Sequence, residues 1–132
     1  MPTKDELKRA AVAEIDRARG ELVEFGDDIF HHAELGFKEH RTAQRVAERF
    51  RDLELEYREG LALTGVKGIA PAGRPGPRVG VLGELDALIV PDHANAVAET
   101  GAAHACGHNG QLTSMLGASL GLIRSGVLGE LV

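Results

Sequence analysis

The sequence predicts an α/β domain in which helices pack on a mixed sheet. Three observations carry this expectation: two amphipathic helical patterns open the chain, shorter apolar runs broken by Gly and Pro follow, and charge is unevenly divided. Residues 1–60 hold 11 Lys/Arg and 15 Asp/Glu, leaving 4 and 5 for residues 61–132. The first part therefore reads as a solvated helical skin, and the second, rich in Gly and Ala, as an interior sheet. A length of 132 residues with no repeat and no linker corresponds to one domain.

Leu7, Ala11, Ile15, Ala18, Leu22, Phe25 and Ile29 step by three or four and share one face, which predicts a long first helix. Thr3 and Glu6 have capping-box spacing at its start, and Gly36 is its expected stop. A second helix is expected over residues 39–53, with Ala43, Val46, Ala47, Phe50 and Leu53 on its apolar side. Leu53, Leu55 and Tyr57 alternate with charged residues, the period of a half-exposed strand. Residues 65–70 and 78–85 read as two further strands, joined into a hairpin by the turn-forming stretch 71–77. Residues 86–108 lack periodicity and are expected to form a long ordered loop of functional kind. A last helix is expected over residues 110–124, with Leu112, Met115, Leu116, Leu120 and Ile123 apolar. Val127-Leu128 and Leu131-Val132 hint at a further turn or strand.

Composition excludes several classes. A net charge of −5 argues against a protein held to nucleic acid by phosphate contacts. A single cysteine excludes a disulfide framework and fits a reducing compartment. The start, Met1 to Glu6, has no apolar core of a signal peptide, and no apolar run approaches the ~20 residues that span a bilayer. A cytoplasmic protein is the expectation.

The chemistry-bearing residues concentrate in His104-Ala105-Cys106-Gly107-His108-Asn109. Three soft or borderline ligands at alternate positions point to the same side of an extended segment, and thiolate with imidazole suits Zn²⁺ and other late divalent metals. A buried cysteine beside two loop histidines is the competing reading. Cys106 as a nucleophile paired with His108 is a third. Glu84 and Asp86 close an otherwise apolar strand, where a carboxylate must be solvated, hydrogen-bonded or bound to a cation. His31-His32 sits near a helix C-terminus, where the dipole favours a protonated imidazole. Asp92-His93 lies in the long loop and could line a pocket.

Three stretches together carry a family resemblance. They are Phe30-His31-His32-Ala33-Glu34-Leu35-Gly36-Phe37-Lys38-Glu39 with Thr42; Thr64-Gly65-Val66 with the run ending Asp86-Ala87-Leu88; and His104 to Asn109. The chain resembles the aminoacylase-type metallo-amidohydrolases and metallopeptidases, which include N-acyl-amino-acid amidohydrolases, auxin-conjugate hydrolases and aminobenzoyl-glutamate hydrolases. It departs from the pattern where Ala33 and Ile89 replace prolines, Asn109 replaces an aspartate, and Glu84 stands where many relatives have a histidine ligand.

The resemblance implies that Cys106 and His108 are metal ligands, that Asp86 is an acidic site residue orienting them, and that His104 lines the site. It implies a divalent metal cofactor (Zn, Mn, Co or Ni) and a small N-acyl amino acid or peptide as substrate; charge and apolar runs argue against a nucleic-acid or membrane partner, and a homo-oligomer stays open. Residues 1–132 would be the N-terminal part of a zinc-peptidase-like three-layer catalytic domain. The lid and dimerisation domain, the catalytic Glu-Glu pair and a further histidine ligand would lie beyond the equivalent of Val132. On that reading the chain is an incomplete and inactive portion of a metal-dependent amidohydrolase. The alternative is a non-catalytic metal-binding or interaction fragment of the same fold. Either way, an unpaired strand edge is expected to promote self-association.

Overall fold

In the computed structural model, residues 2–70, 72–73 and 75–129 are described. Four helices dominate: α1 (Lys4–Arg17), α2 (Arg19–His31), α3 (His40–Asp52) and α4 (His108–Arg124). The strands are short: β1 (Glu56–Leu61), β2 (Gly65–Ile69), β3 (Leu88–Ile89) and β4 (Ala102–Ala103).

The Thr3–Glu6 capping box forms as the spacing predicts, with the Thr3 side chain accepting from the Glu6 N–H and Glu6 reaching back to the Thr3 N–H at 2.7 Å. The single long helix, however, is two. The chain leaves helical geometry at Ala18 (φ −86°, ψ 4°), and α2 ends at His31, five residues before the expected stop at Gly36. The apolar periodicity continues across the break, because Ile15, Ala18 and Leu22 all face the same core.

That core is helical. Ala18, Leu22, Phe25 and Ile29 pack with Val46, Phe50 and Leu53 and with Leu112, Leu116 and Leu120 of α4. α4 closes on α1 and α2 through glycine. A Cβ on Gly121 would stand 2.8 Å from the Ala11 carbonyl oxygen, and one on Gly26 would stand 2.6 Å from Thr113 Oγ1. Both are closer than a side chain tolerates; at Gly121 the backbones of α4 and α1 nearly touch, and at Gly26 the Thr113 side chain fills the space.

The expected mixed sheet is replaced, among the described residues, by two separate antiparallel pairs, β1–β2 and β3–β4. The hairpin partner of β2 is β1, not residues 78–85, and the Ala62–Leu63 turn joining them is left-handed at both residues (φ 47° and 84°). Residues 78–85 form no strand; Pro75 and Pro77 ahead of them lack the N–H that a ladder needs. Two residues of the expected 71–77 turn, Pro71 and Arg74, lie outside the described residues, as do Leu131 and Val132. Val127–Gly129 form a short 3₁₀ turn. The architecture is mixed α/β, with α3 carrying the β1–β2 hairpin, where Gly68 lets the strand close on the Phe50 ring.

Polar bridges tie α2 to α3. Asp28 accepts from Arg41 Nη2 at 2.7 Å and from Arg45 Nε at 2.9 Å. The Arg41 hydrogen bond, helped by both guanidinium charges and opposed by partial burial, holds the Asp28 carboxyl below its ordinary value. Because the folded pKa lies below the unfolded one, the stabilisation is present above the ordinary carboxylate range and is lost as pH falls through the folded value. Asp28→Asn should therefore cost about 1 kcal/mol at pH 7, and in urea unfolding the gap from wild type should shrink as pH falls through and below the ordinary carboxylate range. A constant gap across that range would remove Asp28 as the linkage group.

Candidate functional site

The first resemblance stretch, with Thr64 and Ala87 of the second, turns out to build the scaffold. Glu34 lies just before α3 and caps it. Its carboxylate accepts from the Arg41 N–H at 3.1 Å and from the Thr42 N–H and Oγ1, both at 2.7 Å. A carboxylate on the free N–H groups of a first helical turn also meets the positive end of the dipole. Glu39, buried at the start of α3, accepts from the buried Thr64 hydroxyl at 2.8 Å and pins the β1–β2 hairpin to the helix. The backbone of the same stretch receives the second. Leu35 forms a parallel bridge with Ala87, and the Ala87 N–H donates to the Glu34 carbonyl at 2.8 Å.

The third stretch is positioned by the β3–β4 pair. Its register, Leu88 opposite Ala103 and Ile89 opposite Ala102, lays the chain entering β3 beside the chain leaving β4. Gly107 then turns into α4 with a left-handed backbone (φ 79°), and His108 is the first residue of the helix. His108 ends between two carboxylates. Its Nδ1 is 2.8 Å from the Asp86 carbonyl oxygen and 3.2 Å from Asp86 Oδ1, and its Nε2 is 3.1 Å from Glu84 Oε2. The Gln111 side chain, one turn along α4, clamps Glu84 twice. It accepts from the Glu84 N–H at 2.6 Å and donates to Glu84 Oε2 at 3.2 Å.

This arrangement settles a tautomer. A carbonyl oxygen only accepts, so His108 Nδ1 carries the proton it donates to Asp86. In the neutral ring Nε2 then holds a lone pair directed at a carboxylate oxygen, and two acceptors face each other. Such a contact is satisfied by a second proton on the ring or by a cation between the two atoms. Two ligands of one tetrahedral ion at ordinary Zn–N and Zn–O lengths stand about 3.3 Å apart, close to the 3.1 Å seen. The donors thus fit a divalent cation in kind.

They fall short in number. Among the described residues no group of three or more His, Cys, Asp and Glu side chains is arranged to hold a metal ion. Asp86 and Glu84 face opposite edges of the His108 ring, so one ion cannot draw on both, and Cys106 is exposed. His104 is 5% exposed, and neither ring nitrogen has a hydrogen-bond partner. Burial, then the nearby His108 charge, pushes its pKa below the ordinary imidazole value, and Asp86 pulls the other way.

The other sequence candidates sit elsewhere. His31 and His32 each donate from Nδ1 to a carbonyl one turn back, those of Asp27 and Asp28, at 2.8 and 2.7 Å. His93 Nδ1 accepts from the Asn95 N–H at 3.1 Å, within its own loop. Asn109 donates to the Gly26 carbonyl at 3.4 Å, a brace between α4 and α2. A shallow groove of about 530 Å³ along α2 is lined by none of Glu84, Asp86, His104, Cys106 or His108. Gln111 is the site residue that sequence reasoning missed. It sits on the expected last helix, and nothing in its spacing announces a partner 27 residues upstream.

The chain is 32% identical over 108 residues to hippurate hydrolase of Campylobacter jejuni, covering 80% of this chain and 28% of that enzyme. It is 32% identical over 108 residues to thermostable carboxypeptidase 1 of Saccharolobus solfataricus, covering 79% and 28%. It is 30% identical over 137 aligned positions to the N-acyl-L-amino acid amidohydrolase of Geobacillus stearothermophilus, covering 98% and 35%. The chain belongs to this amidohydrolase and carboxypeptidase family. It spans 28% to 35% of the length of these relatives. No family model and no solved structure matches it.

Within this family member, the Glu34 contacts assign the early motif to architecture. Glu34→Ala should lower stability by about 1–2 kcal/mol through loss of the α3 cap, while divalent-metal affinity changes less than twofold. Denaturant unfolding beside metal titration checks both halves. A loss of metal affinity from a still-folded variant would move Glu34 into the site.

Proposed function

We propose that this chain contributes part of the catalytic domain of a cytoplasmic, divalent-metal-dependent amidohydrolase acting on N-acyl amino acids or small peptides. His108 and Cys106 would be ligands for Zn²⁺, Mn²⁺, Co²⁺ or Ni²⁺, and Asp86 the acidic residue that orients His108. The observation that carries this reading is the His108 clamp, in which Nδ1–H is engaged by Asp86 and Nε2 is left facing Glu84. An imidazole fixed through one nitrogen and basic at the other is the usual form of a metal-bound histidine. Glu84, held by Gln111, is the carboxylate placed to share an ion with His108.

When bound, the ion would act as a Lewis acid on the scissile carbonyl. The chain's own groups have narrower tasks. Asp86 holds the His108 proton at Nδ1. Gln111 holds Glu84 in place against α4. Burial holds the His104 pKa below the ordinary imidazole value, which favours its neutral form. The names of the relatives support the amide and peptide substrate class. The zinc-peptidase-like three-layer domain, with a lid domain outside this chain, belongs to the same proposal.

A second reading, metal binding without turnover, is favoured by the absence of a three-donor group among the described residues. The thiol-hydrolase reading loses support, because both His108 nitrogens are turned to carboxylates and neither serves Cys106 as a base.

Metal titration tests the ligands. Zn²⁺ or Co²⁺ should bind the wild type more weakly than a complete site would, and Cys106→Ala/His108→Ala should weaken binding at least tenfold. Equal binding by both proteins would dismiss these ligands. Turnover separates the two readings. The purified 132-residue chain should hydrolyse N-acyl amino acids negligibly even with metal added. Chelator-sensitive turnover that scales with its concentration would show that its own residues supply the catalytic base.

A further inference from the structure

The Glu84 side chain is 61% exposed, and a long carboxylate in water ordinarily keeps its rotamer freedom. Here that freedom is restrained from α4. His108 and Gln111 stand three residues apart on that helix and so share a face. The Gln111 amide spends both of its ends on one residue. Its Oε1 accepts from the Glu84 N–H at 2.6 Å, and its Nε2 donates to Glu84 Oε2 at 3.2 Å. The first bond fixes the backbone of Glu84 and the second turns its carboxylate. The oxygen held in this way is the one that stands 3.1 Å from His108 Nε2. Gly83 makes the clamp possible, because a Cβ there would lie 2.7 Å from Leu112 Cδ2 and 3.5 Å from the Leu112 Cα. The chain therefore runs close enough to α4 for a glutamine to reach the next residue.

A brace between a loop and a helix needs only one such bond. Two bonds on the same residue, one to its backbone and one to its carboxylate, define the place of a single oxygen atom, and that place is beside the free edge of the His108 ring. Donor chemistry gives the placement a consequence. Thiolate and imidazole, the donors of Cys106 and His108, suit Zn²⁺, whereas a carboxylate oxygen is the donor that Mn²⁺ takes. We propose that Gln111 is a positioning residue which, by holding Glu84 Oε2 beside His108 Nε2, sets the relative affinity of this site for Mn²⁺ over Zn²⁺. The inference rests on the metal reading given above and extends it to the choice of ion. Gln111 acts only through Glu84, as outer partners of a metal site do when they orient the groups that meet the ion.

Calorimetric titration of the chain with MnCl₂ and with ZnCl₂ tests it, and far-UV dichroism confirms that each variant is folded. Methionine matches glutamine in length and helix propensity but has no amide. Gln111→Met should weaken Mn²⁺ binding about tenfold and Zn²⁺ binding by less than about threefold, the same pattern as Glu84→Gln. In a Glu84→Gln background, adding Gln111→Met should change neither Kd by more than about twofold, because Gln111 then has no carboxylate to place. Before metal is added, the His108 ring ¹⁵N signals at one fixed pH should move in Gln111→Met in the same sense as in Glu84→Gln. An unchanged Mn²⁺-to-Zn²⁺ ratio in folded Gln111→Met overturns the proposal and leaves the ligands standing. So does an effect that persists in the Glu84→Gln background, or a His108 ring that responds to Glu84→Gln alone. Equal binding of both ions by the wild type and by Cys106→Ala/His108→Ala, or no binding by the wild type, overturns the ligand reading and the choice of ion with it.

Discussion

The molecule depends on how closely α4 can approach α1 and α2. Leu112, Leu116 and Leu120 fill the space among the helices, but the approach distance is set by Gly121 against the Ala11 backbone and by Gly26 against Thr113. A methyl group at either point would force the helices apart, and a close-packed interior does not absorb such a shift locally. The same helix begins at His108. Packing in its C-terminal half therefore determines where that imidazole stands relative to Glu84 and Asp86. Core and candidate site are two ends of one rigid rod.

The non-helical segments are placed by polar bonds more than by apolar contact. Glu34 caps α3 with its side chain and offers its carbonyl to Ala87; Glu39 reaches Thr64. Buried or half-buried carboxylates are costly unless their hydrogen bonds are complete. These two are satisfied by groups on separate elements, so each bond also fixes a distance between elements. Residues that look like site residues in a motif can thus be conformational anchors, and only their partners distinguish the two roles.

Much of the helical part was legible in the sequence. The Thr3–Glu6 cap and the apolar faces of α3 and α4 follow from spacing that local physics obeys, and β2 falls on the expected strand at 65–70, whereas the alternation from Leu53 to Tyr57 overlaps only the start of β1. The break at Ala18 was not legible, because no glycine or proline occupies that position and the apolar period runs straight through it. The strand expected at residues 78–85 fails for a different reason. Its composition suits a strand, but a strand needs a neighbour, and pairing is a property of the whole fold. At the candidate site, residue types were readable and contacts were not. The partners of His108 come from 22 and 24 residues upstream, and only the β3–β4 register brings them there.

The closing point concerns α1. None of its residues is fully buried, and it leans on the rest of the molecule through Ile15 and the close contact at Gly121. Opening free energy scales with what an element buries, so α1, none of whose residues is fully buried, is expected to open at less cost than α4, which carries Leu112, Leu116 and Leu120. The protein is therefore layered in time as well as in space. Amide protons of α1 exchange with solvent through small excursions, and those at the centre of α4 exchange last.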